Sequence, residues 1–446
     1  MIINRKWLPL FFLILSFLTY FLLPPEISEV GKRVISVFVF AVFFWAFEAA
    51  PLYATSLLVI VFLSFFFIDS EGVRQYELFF SSFSNPLILL FFGGFVLAAA
   101  LRKHRVDEFV LSKMMYLVGD GSYAVLGGIL FTSAFFSLWI SNTAAAAMML
   151  AVCKPLFQNL AKEDSLRKSL PLAIAFGCNI GGMGTPIGSP PNAIALGILN
   201  EYGINIDFIG WMYIAIPLVI LILAFVFFLL VLFFPLKSKT IGKAIGFPSS
   251  LSHEGLKTGG IALLMIFFWL SGGWHGISET WVALAGVGVF ASLRLIGVED
   301  LKKIDWDILI LMWGGLAIGT AIEKSHVLIP MFSSVDISQE FIIIAVFCLL
   351  AMFLSTFISN TATANLLLPI AIGAAVVDPR LIAIPVAFSC SLSMILPVST
   401  PPNAMTYSCG TLKMVDMSKI GLIIAISSLI IILSGFKWII PLVHRS

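Results

Sequence analysis

The sequence predicts an all-α polytopic membrane protein, on three observations. The 446 residues are 60% hydrophobic and only 11% charged, where a soluble domain carries roughly 25% charge. The apolar residues gather into runs near the ~20 residues that span a bilayer, and mean hydropathy is +1.06. Two of the longest runs are interrupted at their midpoints by one polar tripeptide, Ser141-Asn142-Thr143 and Ser359-Asn360-Thr361. A soluble core stops growing near ~250–300 residues, so a soluble enzyme, a disordered chain and a secreted disulfide scaffold are excluded. The net charge of +2 offers nothing to a polyanionic partner, nucleic acid included.

The apolar runs fall at 7–23, 34–47, 52–68, 86–101, 123–157, 170–199, 211–235, 260–272, 281–293, 306–322, 340–377, 380–409 and 420–442. The first follows Arg5 and Lys6. It is long for the apolar part of a signal peptide and no small-residue cleavage site follows it, so it reads as the first span. Runs 123–157 and 340–377 are too long for one span. Their central tripeptides make them helical hairpins that enter and leave on one side. Run 170–199 is opened by Gly181, Gly182, Gly184, Pro186, Gly188, Pro190 and Pro191, and run 380–409 by Pro397, Pro401 and Pro402. Both read as broken helices. The expectation is about eleven transmembrane helices plus two re-entrant hairpins.

Loop charges orient these elements. With the N-terminus inside, only Lys32, Arg33, Arg74, Lys324, Arg380, Lys437 and Arg445 fall outside, leaving nineteen of the 26 Lys and Arg inside. The C-terminus is then external. The first hairpin opens from the inner face and the second from the outer face, so the two are inverted.

An internal repeat lies on these inverted elements. Residues 137–146 read SLWISNTAAA and residues 355–364 read STFISNTATA. Downstream, GTPIGSPPNAI at 184–194 matches LPVSTPPNAM at 396–405. Two copies of two motifs, in the same order on oppositely oriented segments, are the expectation for an inverted-repeat secondary transporter with its site near the midplane. The chemistry fits. Irregular backbone at that depth survives only inside protein or around a watery cavity. Unwinding frees carbonyl oxygens for a cation and creates helix N-termini that attract anions. Asn142 and Asn360 add an amide each, and Ser137, Ser141, Thr143, Ser355, Ser359 and Thr361 add hydroxyls.

Other groups are set aside. Cys153, Cys178, Cys348, Cys390 and Cys409 have no CxxC spacing, and the five histidines form no ligand pair. No nucleophile–base pair or metal cluster supports an enzyme. Residues 122–153, 170–200 and 341–377 hold no Lys, Arg, His, Asp or Glu. A proton relay needs such groups, so sodium coupling is favoured. Glu48 reads as a helix-end or interfacial group, and His104 with its basic neighbours as a solvated inner loop. Trp139 suits either packing or a cavity wall.

The paired Ser-Asn-Thr tips and paired (Ser/Thr)-Pro-Pro-Asn breaks resemble the divalent anion/sodium symporter family over the whole chain. The resemblance implies a homodimer in the bilayer, each protomer having a scaffold and a transport domain that slides as an elevator. It divides the chain into a scaffold part at 1–113, a transport part at 114–235, a linker and scaffold part at 236–330, and a transport part at 331–446. It implies sodium-coupled import of di- or tricarboxylates of the succinate, malate and fumarate class, with no organic cofactor. The first sodium site would use Ser137 and Asn142 with the carbonyls of Ser141 and Gly188. The second would use Ser355 and Asn360 with the carbonyls of Ile358 and Ser399. Substrate carboxylates would meet Asn142, Thr143, Ser189, Asn360, Thr361 and Thr400. Ser355 stands where Thr is usual and Ser399 where Ala is usual; each keeps the needed oxygen. The short loops point to a prokaryotic inner (plasma) membrane with the N-terminus cytoplasmic. A sodium-independent dicarboxylate exchanger, a sulfate-type anion transporter, and a channel or sensor on the same scaffold are the alternatives.

Overall fold

The computed structural model describes residues 7–68, 72–158, 160–161, 163–236, 250–328, 340–374 and 378–439. Arg5, Lys6, Lys162, Lys237, Lys239, Lys243 and Arg445 of the charge count lie outside the described residues. The helices run α1 Leu8–Leu22, α2 Glu29–Ala46, α3 Leu52–Phe66, α4 Tyr76–Ser81, α5 Pro86–Lys103, α6 Val106–Val118, α7 Ser122–Ser137, α8 Asn142–Gln158, α9 Leu166–Gly181, α10 Pro190–Glu201 and α11 Phe208–Phe233. They continue as α12 His253–Leu270, α13 Gly272–His275, α14 Glu279–Ser292, α15 Val298–Leu301, α16 Trp306–Ser325, α17 Glu340–Phe357, α18 Asn360–Gly373, α19 Pro379–Ser391, α20 Pro401–Tyr407 and α21 Met414–Ile439. Among the described residues, β pairing is confined to one bridge between Ile68 and Arg74.

Helix starts follow capping chemistry. Ser28, Asp207 and Ser252 accept from the N–H groups of Gly31 at 3.1 Å, Gly210 at 2.8 Å and Gly255 at 3.0 Å. Each such cap is worth about 1 kcal/mol. Five stretches are long and apolar enough to cross a membrane: Tyr76–Lys103, Phe208–Phe233, Trp306–Ser325, Glu340–Phe357 and Met414–Gly435. The molecule is a multi-pass helical membrane protein.

The basic stretch around His104 is not simply solvated loop. Val106, Leu111 and Met115 are buried at five- and four-residue spacing, and this apolar stripe makes residues 106–118 an amphipathic helix. His104 Nε2 lies 2.9 Å from the Leu295 carbonyl, and Lys103 pairs with Asp300 at 2.7 Å. That ammonium holds the Asp300 carboxyl below the usual range. Glu48 is exposed at the turn after α2 with φ 47°, which agrees with a helix-end role.

The chain forms two compact units. The first comprises Met1–Ile88, Ala193–Ile206 and Asp305–Cys390. Its core is built on α2, α3 and α16, with Phe40, Trp45, Leu63, Phe79, Leu311 and Ala317 buried together. Here α16 meets α3 at Gly314, where an added Cβ would stand 2.5 Å from Ser56 Cβ and 2.9 Å from Ser56 Cα. Gly314→Ala is therefore expected to lower the melting temperature in detergent, at a cost of about 1–3 kcal/mol. An unchanged melting curve would refute this contact.

The second unit comprises Leu89–Asn192, Asp207–Ile304 and Ser391–Ser446. It holds the hairpin α7–α8, the broken helix α9–α10 as far as Asn192, and α20. Along α9, Gly177 lets α7 come close: a Cβ there would stand 2.6 Å from the Leu130 carbonyl oxygen.

Candidate functional site

Both tripeptides are hairpin tips. Chain reversal falls between α7 and α8 at residues 138–141 and between α17 and α18 at residues 358–359. In each, the serine caps the second helix. Ser141 Oγ accepts from Ala144 N–H at 3.4 Å, and Ser359 Oγ accepts from Ala362 N–H at 3.1 Å. Asn142 and Asn360 thus occupy the first helical position and Thr143 and Thr361 the second. Backbone N–H groups at such positions have no intrahelical partner and are suited to an anion.

The two half-sites repeat one contact. Ser137 Oγ lies 2.6 Å from Asn142 Oδ1, and Ser355 Oγ lies 2.7 Å from Asn360 Oδ1. Both serines are fully buried. In the second unit, the inward amide atom of Asn142 also lies 3.1 Å from the Gly188 carbonyl and 3.2 Å from the Cys178 carbonyl. An inward amide nitrogen has two hydrogens for three oxygens. An inward amide oxygen instead completes a set of four oxygens. Hard oxygen donors of this kind suit a small cation. In the first unit, Ser355 Oγ lies 2.7 Å from the Cys390 carbonyl as well. One hydroxyl hydrogen there faces two acceptors.

The first break is held open by its own polar residues. Asn192, fully buried, donates through Nδ2 to the Gly182 carbonyl at 2.9 Å and the Thr185 carbonyl at 2.8 Å. Trp211 Nε1 donates to the Met183 carbonyl at 3.0 Å. Thr185 Oγ1 donates to the Leu138 carbonyl at 2.5 Å and accepts from Gly188 N–H at 3.1 Å, tying the break to the hairpin tip. Thr185→Val keeps the volume and removes both bonds. Sodium half-saturation of transport is expected to rise about three- to ten-fold; an unchanged sodium curve would show that the tie is idle.

The second break carries the same device. Asn403 Nδ2 donates to the Leu396 carbonyl at 3.0 Å, and Thr400 Oγ1 accepts from Asn403 N–H at 3.3 Å as the cap of α20. Ser189 Oγ lies 3.4 Å from Ser391 Oγ, with both side chains buried.

The structure therefore brings Ser137, Asn142 and Gly188 together in one unit and Ser355 and Asn360 together in the other. The Ser141 carbonyl accepts from Ala145 N–H at 2.9 Å, inside the first turn of α8. Ile358 N–H closes the end of α17 on the Leu354 carbonyl at 3.0 Å. Ser399 and Thr400 belong to the same unit as the first hairpin. Ser399 Oγ there accepts from Leu396 N–H at 3.2 Å. Thr143 is exposed and Thr361 half-buried. Sequence reasoning left out the carbonyls of Cys178 and Cys390 and the side chains of Thr185, Asn192 and Asn403. Trp139 stacks on Phe208 at 6.4 Å between centroids, and Phe208 on Trp269 at 5.4 Å. Packing accounts for its ring, while its indole N–H meets no acceptor among the described residues.

No Lys, Arg, His, Asp or Glu lies at 122–153, 170–200 or 381–412, so the first hairpin tip and both breaks carry no formal charge. They can hold a cation through oxygens and an anion through N–H and O–H groups.

Comparison with known proteins agrees. The model of the citrate transporter family matches residues 42–379 and 262–445. A sodium-dependent dicarboxylate transporter SdcS of Staphylococcus saprophyticus is 28% identical over 461 residues, covering 94% of this chain and 88% of that protein. Its namesake from Staphylococcus aureus is 30% identical over 465 residues, with the same shares covered. The crystal structure of the Alcanivorax borkumensis YdaH transporter shares the fold. Its TM-score is 0.58 over 83% of this chain and 90% of that one, at 12% identity. These proteins are transporters, not enzymes, and the resemblance read from the paired motifs holds: the chain belongs to the citrate transporter family.

Proposed function

We propose that this protein is a secondary active transporter that imports di- or tricarboxylates of the succinate, malate and fumarate class together with sodium. The observation that carries the reading is the paired serine–asparagine oxygen cluster, repeated in both hairpins with no Lys, Arg, His, Asp or Glu at 122–153 or 341–377. The relatives' names, sodium-dependent dicarboxylate transporter, agree with it.

Electrostatics sets the order of events. A bare dianion in a low-dielectric interior is very costly, and the hairpins offer it no arginine. Sodium held by Ser137, Asn142 and Gly188, and a second held by Ser355 and Asn360, supplies the missing positive charge. The N-termini of α8, α10 and α18 add partial positive charge. Asn142, Thr143, Ser189, Asn360, Thr361 and Thr400 then donate to the carboxylates. Sodium binds first and raises the affinity for substrate.

In this reading the two hairpins are re-entrant within an eleven-span inverted repeat. Segments 114–235 and 331–446 form the moving part of an elevator, and 1–113 and 236–330 its scaffold and linker. The protein works as a homodimer in the cell inner (plasma) membrane, with its N-terminus cytoplasmic and its C-terminus external.

Competition tests the substrate class. Excess malate, fumarate or citrate is expected to suppress sodium-driven uptake of labelled succinate in proteoliposomes, and sulfate to leave it unchanged. Suppression by sulfate alone would replace the proposal with an inorganic-anion transporter. Counterflow that proceeds equally in sodium-free buffer would make the protein an exchanger.

A further inference from the structure

Helix α9 carries a polar side chain that neither repeated motif includes. Asn179 is fully buried. Its amide nitrogen donates to Thr400 Oγ1 at 3.1 Å and to Asn403 Oδ1 at 3.0 Å. One residue of the first repeat therefore holds both polar residues of the second repeat's Thr-Pro-Pro-Asn.

The consequence falls on the Thr400 hydroxyl. Its oxygen accepts from Asn179 Nδ2 and also from Asn403 N–H at 3.3 Å. A hydroxyl oxygen has two lone pairs and one hydrogen. With both lone pairs taken by N–H donors, only the hydrogen is left to offer. Such a hydroxyl is an obligate donor, suited to a carboxylate oxygen and unsuited to a cation. Asn403 is fixed in the matching orientation, because its own Nδ2 is committed to the Leu396 carbonyl at 3.0 Å. The residue before Asn179 faces the first oxygen set: the Cys178 carbonyl lies 3.2 Å from the inward amide atom of Asn142. Adjacent residues of α9 thus touch the first cation set through the backbone and the second anion motif through a side chain.

We infer that Asn179 is a positioning residue for the transported anion, fixing Thr400 as a hydrogen-bond donor to a substrate carboxylate. The inference deepens the dicarboxylate reading and rests on it.

The test measures labelled succinate uptake against succinate concentration at saturating sodium, with the full chain in proteoliposomes. Asn179→Ala is expected to raise KM about ten-fold with Vmax within about two-fold, as for loss of a bond made to a charged ligand. Asn179→Ser keeps one donor and is expected to fall between Asn179→Ala and the wild type. In a Thr400→Ala background, Asn179→Ala should raise KM no further, since the two act through one hydroxyl. Sodium-induced thermal stabilisation without succinate should persist in every Asn179 variant, because the side chain is not in the cation set. Wild-type KM in Asn179→Ala, a fall in Vmax alone, or additivity with Thr400→Ala would overturn the inference. Should Asn179→Ala fail to fold, Asn179→Ser and its combination with Thr400→Ala decide it by the same criteria. Wild-type protein that takes up no succinate at all would overturn the dicarboxylate reading itself, and this inference with it.

Discussion

Asn142→Ala and Asn360→Ala are each expected to abolish sodium-dependent uptake, a loss of about 100-fold or more when a group serves both co-substrates. Each asparagine stands at the first position of a hairpin's second helix with its amide against a buried serine hydroxyl. Alanine removes the cation-facing oxygen and the amide donor together. The defect should appear in Vmax and in sodium activation alike, because the anion depends on the cation's charge. Asn142→Asp separates the roles. It keeps an oxygen for sodium but adds a negative charge, so sodium stabilisation should survive while succinate uptake fails. Full uptake by either alanine variant would dismiss the assignment of these tips.

Gly188→Ala is expected to be as damaging with a single added methyl. Its Cβ would stand 2.6 Å from the Gly182 carbonyl oxygen and 2.8 Å from the Ser137 carbonyl oxygen. Both obstacles are backbone, and Gly182 is itself stapled by Asn192, so the clash is relieved only by shifting the break. The Gly188 carbonyl then leaves Asn142. Uptake should fall about 100-fold with the protein still inserted. Gly260→Ala is the control. A Cβ there meets nothing within 4 Å, and α12 should gain up to about 1 kcal/mol in helix propensity. Equal transport by Gly188→Ala and Gly260→Ala would mean that the break geometry is unimportant.

Much of this site was legible in the sequence because its elements rest on residue types with strong local rules. Ser-Asn-Thr inside an apolar run is a capping sequence with nowhere to go but a helix start, and Ser141 and Ser359 cap accordingly. Pro-Pro after Gly-Ser, or after Ser-Thr, must end one helix and begin another, as α10 and α20 do. The serine five residues before each asparagine was legible from the repeat alone.

What escaped lies where residue type carries no signal. Cys178 and Cys390 contribute backbone carbonyls, which any residue at those helix ends would supply. Asn192 and Asn403 stood in plain view within the motifs, but their role as staples depends on carbonyls brought back to them by the fold. Asn179 lies outside both repeated motifs, and only packing shows that it reaches the second repeat's Thr-Pro-Pro-Asn. Helix α6 was obscured by the charges around His104, since five charged residues at 102–108 read as loop unless the buried positions are known. The compact units change over inside α5 and inside α10, after Ile88 and after Asn192, at points no composition shift marks.

The central claim is that sodium, held by the paired hairpin clusters, carries a dicarboxylate that the protein cannot hold alone. Uptake of labelled succinate into proteoliposomes tests it most directly, with an inward sodium gradient or with choline in its place. Accumulation above the external concentration with sodium, and none with choline, is the expected result. Equal uptake in both, stimulated by internal dicarboxylate, would contradict the claim and leave the two oxygen clusters without a role in coupling.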